Sequence, residues 1–174
     1  AAILQKIIES LDNEGCRYIG PIYGQFMLTT DGLKIIEINA RFGDPEALNV
    51  LSVLDTDFVD LCKAMINNTL YSKKLKIKKK STVCKYVVPE GYGVKSMIGE
   101  KIFVDEKNIK KTGSRLFYAS VNKENDFVTT TSSRSLAIVG IADDIVEAEK
   151  MCEKALTYVK SDHIFIRHDI GTPK

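Results

Sequence analysis

The side chains best suited to chemistry lie in the stretch Lys34-Ile35-Ile36-Glu37-Ile38-Asn39-Ala40-Arg41-Phe42-Gly43-Asp44-Pro45-Glu46. In a strand, successive side chains point to opposite faces. Glu37, Asn39 and Arg41 then share one face, and Ile36, Ile38 and Ala40 form an apolar face expected to join a core. A carboxylate beside amide oxygens is a hard-oxygen donor set. It suits Mg²⁺, which takes one or two carboxylates and completes its shell with water and substrate phosphates. A guanidinium nearby can clamp a phosphate or carboxylate with two parallel hydrogen bonds. Such a row can hold Mg²⁺–nucleotide phosphates and meet a developing negative charge. The same alternation also describes an ordinary strand with one face in water, so spacing alone leaves both readings open.

The element that must position this row is a hairpin. Tyr18 to Thr29 and Leu33 to Ala40 read as strands, and Asp31-Gly32 between them is a strong turn signal. A three-residue loop Thr30-Asp31-Gly32 pairs Thr29 with Leu33, Gln25 with Glu37 and Phe26 with Ile36. Cross-strand partners share a face, so Gln25 joins Glu37 and Asn39 as a third oxygen donor. A helix over residues 3–11 precedes the hairpin. Two more helices, 46–54 and 57–67, follow it, the second with Asp55 or Thr56 near its cap.

The run Lys73-Lys74-Leu75-Lys76-Ile77-Lys78-Lys79-Lys80 has no interleaved aromatics. It reads as a solvated linker or edge strand rather than a nucleic-acid surface. Beyond it short strands dominate, at 82–88, 101–104, 115–121, 127–131 and 136–141. A helix capped by Asp143 or Asp144 follows, with Ile145, Ala148, Cys152, Ala155 and Val159 as its inner stripe. Ile164 to Ile166 is a last strand. The fold class is therefore α/β (α+β).

Composition narrows the function classes. Lys and Arg number 25 against 23 Asp and Glu, a formal charge of +2 that calls for neither nucleic acid nor an anionic membrane. No apolar run reaches membrane-spanning length. The start, Ala1-Ala2-Ile3-Leu4, has no signal-peptide pattern and no initiator Met, so the chain is expected to be cut, processed or preceded by further sequence. Cys16, Cys62, Cys84 and Cys152 are scattered, as for reduced thiols in a cytoplasmic protein. His163 and His168 read as structural or exposed.

Gly20-Pro21-Ile22-Tyr23-Gly24, Met27-Leu28-Thr29, Asp31-Gly32 and Glu37-Ile38-Asn39-Ala40-Arg41-Phe42-Gly43-Asp44-Pro45-Glu46 together resemble the end of the ATP-grasp domain of phosphoribosylamine–glycine ligases. Glu-x-Asn-x-Arg is shared by many ATP-grasp enzymes, and Arg-Phe-Gly-Asp-Pro-Glu is much more specific. Pro89-Glu90-Gly91-Tyr92-Gly93, Ser133 to Gly140 and Phe165 to Gly171 are similar to later family motifs, so the resemblance spans nearly the whole chain. It departs at Ser132-Ser133, usually Gly-Gly, at Tyr118-Ala119-Ser120, usually His-Ala-Gly, and at Gly93, usually Pro.

The resemblance implies the end of an ATP-grasp domain over 1–72, a basic linker over 73–80 and a small C-terminal α+β domain over 81–174. It implies that Glu37 and Asn39, with Gln25, hold Mg²⁺ or Mn²⁺, and that ATP is a co-substrate. Arg41 would be catalytic, and Asp44 and Glu46 would contact glycine or 5-phosphoribosylamine. The upstream part of the same enzyme would be the partner. Two alternatives stay open: another ATP-grasp carboxylate–amine ligase, or a non-catalytic fragment or assembly module of a split ligase.

Overall fold

A computed structural model describes residues 2–172, and its contacts fall into two units, 1–47 with 54–77 and 48–53 with 78–174. In the first unit, helix α1 (Ala2–Asn13) precedes a two-stranded antiparallel hairpin of β1 (Tyr23–Thr29) and β2 (Gly32–Asn39). Residues 18–22, expected to extend β1, lie outside it; Pro21 has no N–H for a ladder, and the Tyr18 hydroxyl donates to the Pro21 carbonyl at 2.7 Å.

Helix α2 (Glu46–Val53) begins in this unit, and α3 (Phe58–Ile66) follows it. The cap of α3 is Asp57 rather than the expected Asp55 or Thr56; its side chain accepts from the Asp60 N–H at 2.9 Å. The basic run forms one bridge, Leu54 with Ile77, and is otherwise irregular and exposed.

The apolar face of the hairpin is not the core that the alternation predicts. Ile35 is 52% exposed and Ile38 is 36% exposed, and α1 has no buried residue. One twelve-residue helix covers only part of the face: an added Cβ at Gly24 would meet Leu4 at 3.0 Å, and Ile7 and Leu11 line a groove with Ile35.

The second unit holds the buried core. Strands β3 (Ser81–Pro89), β5 (Arg115–Tyr118), β8 (Leu136–Ala142) and β10 (Ile164–Ile166) form one antiparallel sheet in the order β10-β3-β8-β5. Strands β4 (Lys101–Val104), β6 (Val121–Lys123), β7 (Val128–Thr130) and β9 (Val159–Lys160) form another in the order β6-β7-β4-β9. The single strand expected at 115–121 is thus two, β5 and β6, in different sheets.

Both faces of the β3–β8 pair are covered, which explains their nearly unbroken apolar runs. Val83, Val87, Leu136 and Ile138 cluster with Ala148, Cys152 and Ala155 of α5 (Ile145–Leu156). Cys84, Ala137 and Val139 face the other way, against Leu48 of α2 and Phe117. Asp144 caps α5, as one of the two expected candidates, accepting from the Glu147 N–H at 2.9 Å. The expected inner stripe fails at its ends: Ile145 is 48% exposed, and Val159 belongs to β9.

A short helix, α4 (Glu106–Lys111), had no sequence signal beyond its Asp105 cap, because its one buried residue, Ile109, makes no stripe. No described helix is long and apolar enough to cross a membrane.

Candidate functional site

The candidate site sits on the polar face of the β1–β2 hairpin. The turn is tighter than expected. Thr29 pairs with Gly32, leaving a two-residue loop, and Phe26 meets Ile35 rather than Ile36. Thr29 Oγ1 accepts from the Asp31 N–H at 3.2 Å and donates to the Gly32 carbonyl at 2.8 Å. Gly32 takes a φ of +95°, open to glycine without strain.

Taken alone, this one-residue slip would put Gln25 opposite Ile36. A bulge between Gln25 and Phe26 cancels it, with Ile36 as the extra residue, and Gln25 pairs with Glu37 after all. Tyr23 pairs with Asn39. Gln25, Glu37, Asn39 and Tyr23 therefore share a face, and Asn39 Nδ2 donates to Glu37 Oε1 at 2.9 Å.

These residues fit a hard, hydrated cation. Among the described residues no three His, Cys, Asp or Glu gather as a metal cage. The set is one carboxylate with two amide oxygens, too few for a dedicated protein cage but suited to Mg²⁺ that keeps water and substrate phosphates in its shell. Mn²⁺ accepts the same oxygen donors.

The remaining residues lie just past β2. Arg41 is exposed, and its Nη1 donates to the Phe42 carbonyl at 2.7 Å. Asp44 is exposed and precedes Pro45 across a cis peptide bond. Glu46 is half-buried at the start of α2, and its Oε1 accepts from the Tyr23 hydroxyl at 2.9 Å. Burial, then the Glu46 hydrogen bond and charge, then the charge of Glu37, push the Tyr23 phenol above its usual pKa. It therefore acts here as a neutral donor.

Gly43 is buried in the same corner; an added Cβ would lie 2.4 Å from Glu46 Oε2 and 3.1 Å from Tyr23 Cδ1. Tyr23 and Gly43 escaped the sequence reading. The available signal for Tyr23 was its position two residues before Gln25, on the same strand face.

The family profile for the phosphoribosylglycinamide synthetase C domain matches residues 82–173, more than half of the chain. The chain belongs to the phosphoribosylglycinamide synthetase family. That family's ATP-grasp (A) domain profile matches residues 1–47, which include every residue of the candidate site.

Among curated members of the synthetase family, the phosphoribosylamine–glycine ligase of Methanocaldococcus jannaschii is 50% identical over 169 residues, covering 97% of this chain and 38% of the relative. That of Methanothermobacter thermautotrophicus is 46% identical, covering 98% of this chain and 38% of the relative. The chain thus spans under two fifths of the length of these relatives. The crystal structure of phosphoribosylamine–glycine ligase from Thermotoga maritima has the same fold, with TM-score 0.75 at 22% identity over 92% of this chain and 39% of that one. N5-carboxyaminoimidazole ribonucleotide synthetase from the same organism is a more distant fold match, with TM-score 0.52 at 15% identity over 92% of this chain and 42% of that one.

Residues in and beside the segments where this synthetase-family chain departs from the usual motifs make local contacts, through side chain or backbone. The Tyr118 hydroxyl donates to Glu106 Oε1 at 2.8 Å, and Ser96 Oγ donates to the Ser132 carbonyl at 3.0 Å. The Arg134 guanidinium lies over the Tyr86 ring, 5.0 Å from its centre.

Proposed function

We propose that this chain is the C-terminal portion of an ATP-grasp carbon–nitrogen ligase that joins glycine to 5-phosphoribosylamine in cytoplasmic purine biosynthesis. Residues 1–72 would close the ATP-grasp domain, 73–80 would link, and 81–174 would form the C-terminal domain. The single observation that carries the reading is Gln25 paired with Glu37 while Asn39 bonds the same carboxylate, on the segment matched by the ATP-grasp profile.

In this reading the glycine carboxylate attacks the γ-phosphorus of ATP, giving glycyl phosphate and ADP. The amine of phosphoribosylamine then attacks the glycyl carbonyl carbon, phosphate leaves, and the amine loses a proton. Gln25, Glu37 and Asn39 would hold Mg²⁺ or Mn²⁺, which supplies charge neutralisation for the phosphates. Arg41 would swing from the Phe42 carbonyl to the transferring phosphoryl group, where its fork fits two oxygens. Asp44 and Glu46 would accept hydrogen bonds from the ammonium of glycine or from the ribosylamine. Most of the acceleration would be positioning and fixed electrostatics.

The exposed apolar side chains of the hairpin support a partner supplied by the rest of the enzyme. Leu28 is 83% exposed and Leu33 is 52% exposed.

Glu37→Ala in the intact enzyme tests the reading. Turnover should fall by roughly two orders of magnitude or more, the usual scale for losing a charge-stabilising group. Near-normal kcat at saturating Mg²⁺ would remove Glu37 from the site.

A further inference from the structure

We infer that Tyr23 is the positioning residue that fixes the Glu46 carboxylate for the amine-bearing substrate, so that it tunes amine recognition and not metal binding. The inference rests on the reading of Glu46 given above and deepens it.

The geometry separates the two tasks. Tyr23 stands on the metal-bearing face, opposite Asn39, yet its hydroxyl reaches across 23 residues of sequence to Glu46 Oε1 at 2.9 Å. The link ties the start of α2 to the end of the hairpin. Glu46 Oε2 fills the space that a Cβ at Gly43 would need, in the same corner as the Tyr23 ring. A carboxylate offers about four acceptor positions, and the tyrosine engages one oxygen.

A carboxylate oriented in this way at the start of α2 suits an N–H donor on a cationic or neutral amine. A phenol that touched the metal would instead aim its oxygen at the Gln25, Glu37 and Asn39 donors.

The test is steady-state kinetics of the intact enzyme carrying Tyr23→Phe, Glu46→Ala or both. Tyr23→Phe should raise the KM for glycine or for phosphoribosylamine about tenfold, the scale of one lost hydrogen bond to a charged group. The KM for ATP and the Mg²⁺ activation constant should stay unchanged, and Tyr23→Phe should add nothing in the Glu46→Ala background.

Three results would overturn the inference. If Glu46→Ala raises an amine KM and Tyr23→Phe does not, Tyr23 does not position it and the Glu46 reading stands. If Glu46→Ala leaves both amine KM values unchanged, the Glu46 reading fails, and the inference fails with it. If Tyr23→Phe shifts the Mg²⁺ constant, Tyr23 serves the metal strand. A thermal melt of Tyr23→Phe within a few degrees of the wild type confirms that these constants report on the site.

Discussion

Lys85 is a charged side chain with no exposed surface, in the middle of β3 on the face that α5 covers. An ammonium has three N–H donors, and each meets an acceptor: Glu149 Oε1 at 2.6 Å, the His168 carbonyl at 2.8 Å, and Glu153 Oε1. Burial lowers the Lys85 pKa, but the hydrogen bonds and charges of Glu149 and Glu153 reverse this and leave it raised, so the side chain stays charged. Burial likewise raises Glu153, and the bonds from Lys85 and His168 outweigh it and leave the carboxyl below its usual value. A depressed folded pKa contributes stability that is complete above the unfolded carboxyl value of about 4.3 and is lost as pH falls through the folded value. The unfolding midpoint of the second unit should hold near neutral pH and fall below about pH 4.3, and Glu153→Gln should flatten that acid limb in melts across pH. Lys85→Ala leaves two carboxylates and the His168 carbonyl without their donor. Because the carboxylates keep some solvent contact, the cost should be on the order of 3 kcal/mol in denaturant unfolding, the low end for breaking a buried pair. A cost under about 1 kcal/mol would show that water replaces the lysine.

Elements meet most closely where α5 crosses β8. A Cβ at Gly140 would lie 1.9 Å from the Ala148 carbonyl oxygen, and its N–H donates to Cys152 Sγ at 3.1 Å. Gly140→Ala must therefore lift the helix from the strand and should cost about 3 kcal/mol, the upper part of the overpacking range. The thiol should report it: burial pushes Cys152 up to about 11, so at pH 8 it should resist alkylation in the wild type and react in Gly140→Ala. Equal labelling rates in the two proteins would show that the contact relaxes without opening. The strands of this contact were legible in the sequence because apolar runs and turn residues mark them, whereas the required glycine was not, since its reason lies on a helix eight residues later. The hairpin behaves the same way. Alternation along Glu37-Ile38-Asn39 and the Asp31-Gly32 turn put Gln25 with Glu37, but periodicity encodes neither the Thr29 hydroxyl bonds across the shorter loop nor the bulge at Ile36. The Tyr23–Glu46 contact was illegible because it joins two elements far apart in the chain.

The two units differ in what they bury, and this sets how the 174-residue chain should behave when expressed alone. The second unit has two apolar clusters on the two faces of the β3–β8 pair, with Val87, Leu136, Ile138 and Cys152 wholly inside. Amides of β3, β8 and α5 should exchange slowly, as expected for a cooperative core. In the first unit the hairpin leaves Leu28, Leu33 and Ile35 more than half exposed, and two-stranded hairpins are marginal in water. Its amides should exchange orders of magnitude faster. The candidate metal donors lie on that hairpin, so they are also the least preorganised part of the chain. One carboxylate and two amides hold Mg²⁺ weakly without phosphates, because the ion gives up water reluctantly. ATP would bring phosphates, but ordering the hairpin would draw on the same binding energy and raise the apparent Kd in inverse proportion to the fraction of chains already ordered. Calorimetry of Mg²⁺–ATP against the purified chain should therefore show Kd in the millimolar range or no heat, with no glycine-dependent ATP turnover. Micromolar binding would mean that these 174 residues hold the nucleotide themselves, against the proposal that a further part of the enzyme completes the site at the exposed hairpin face.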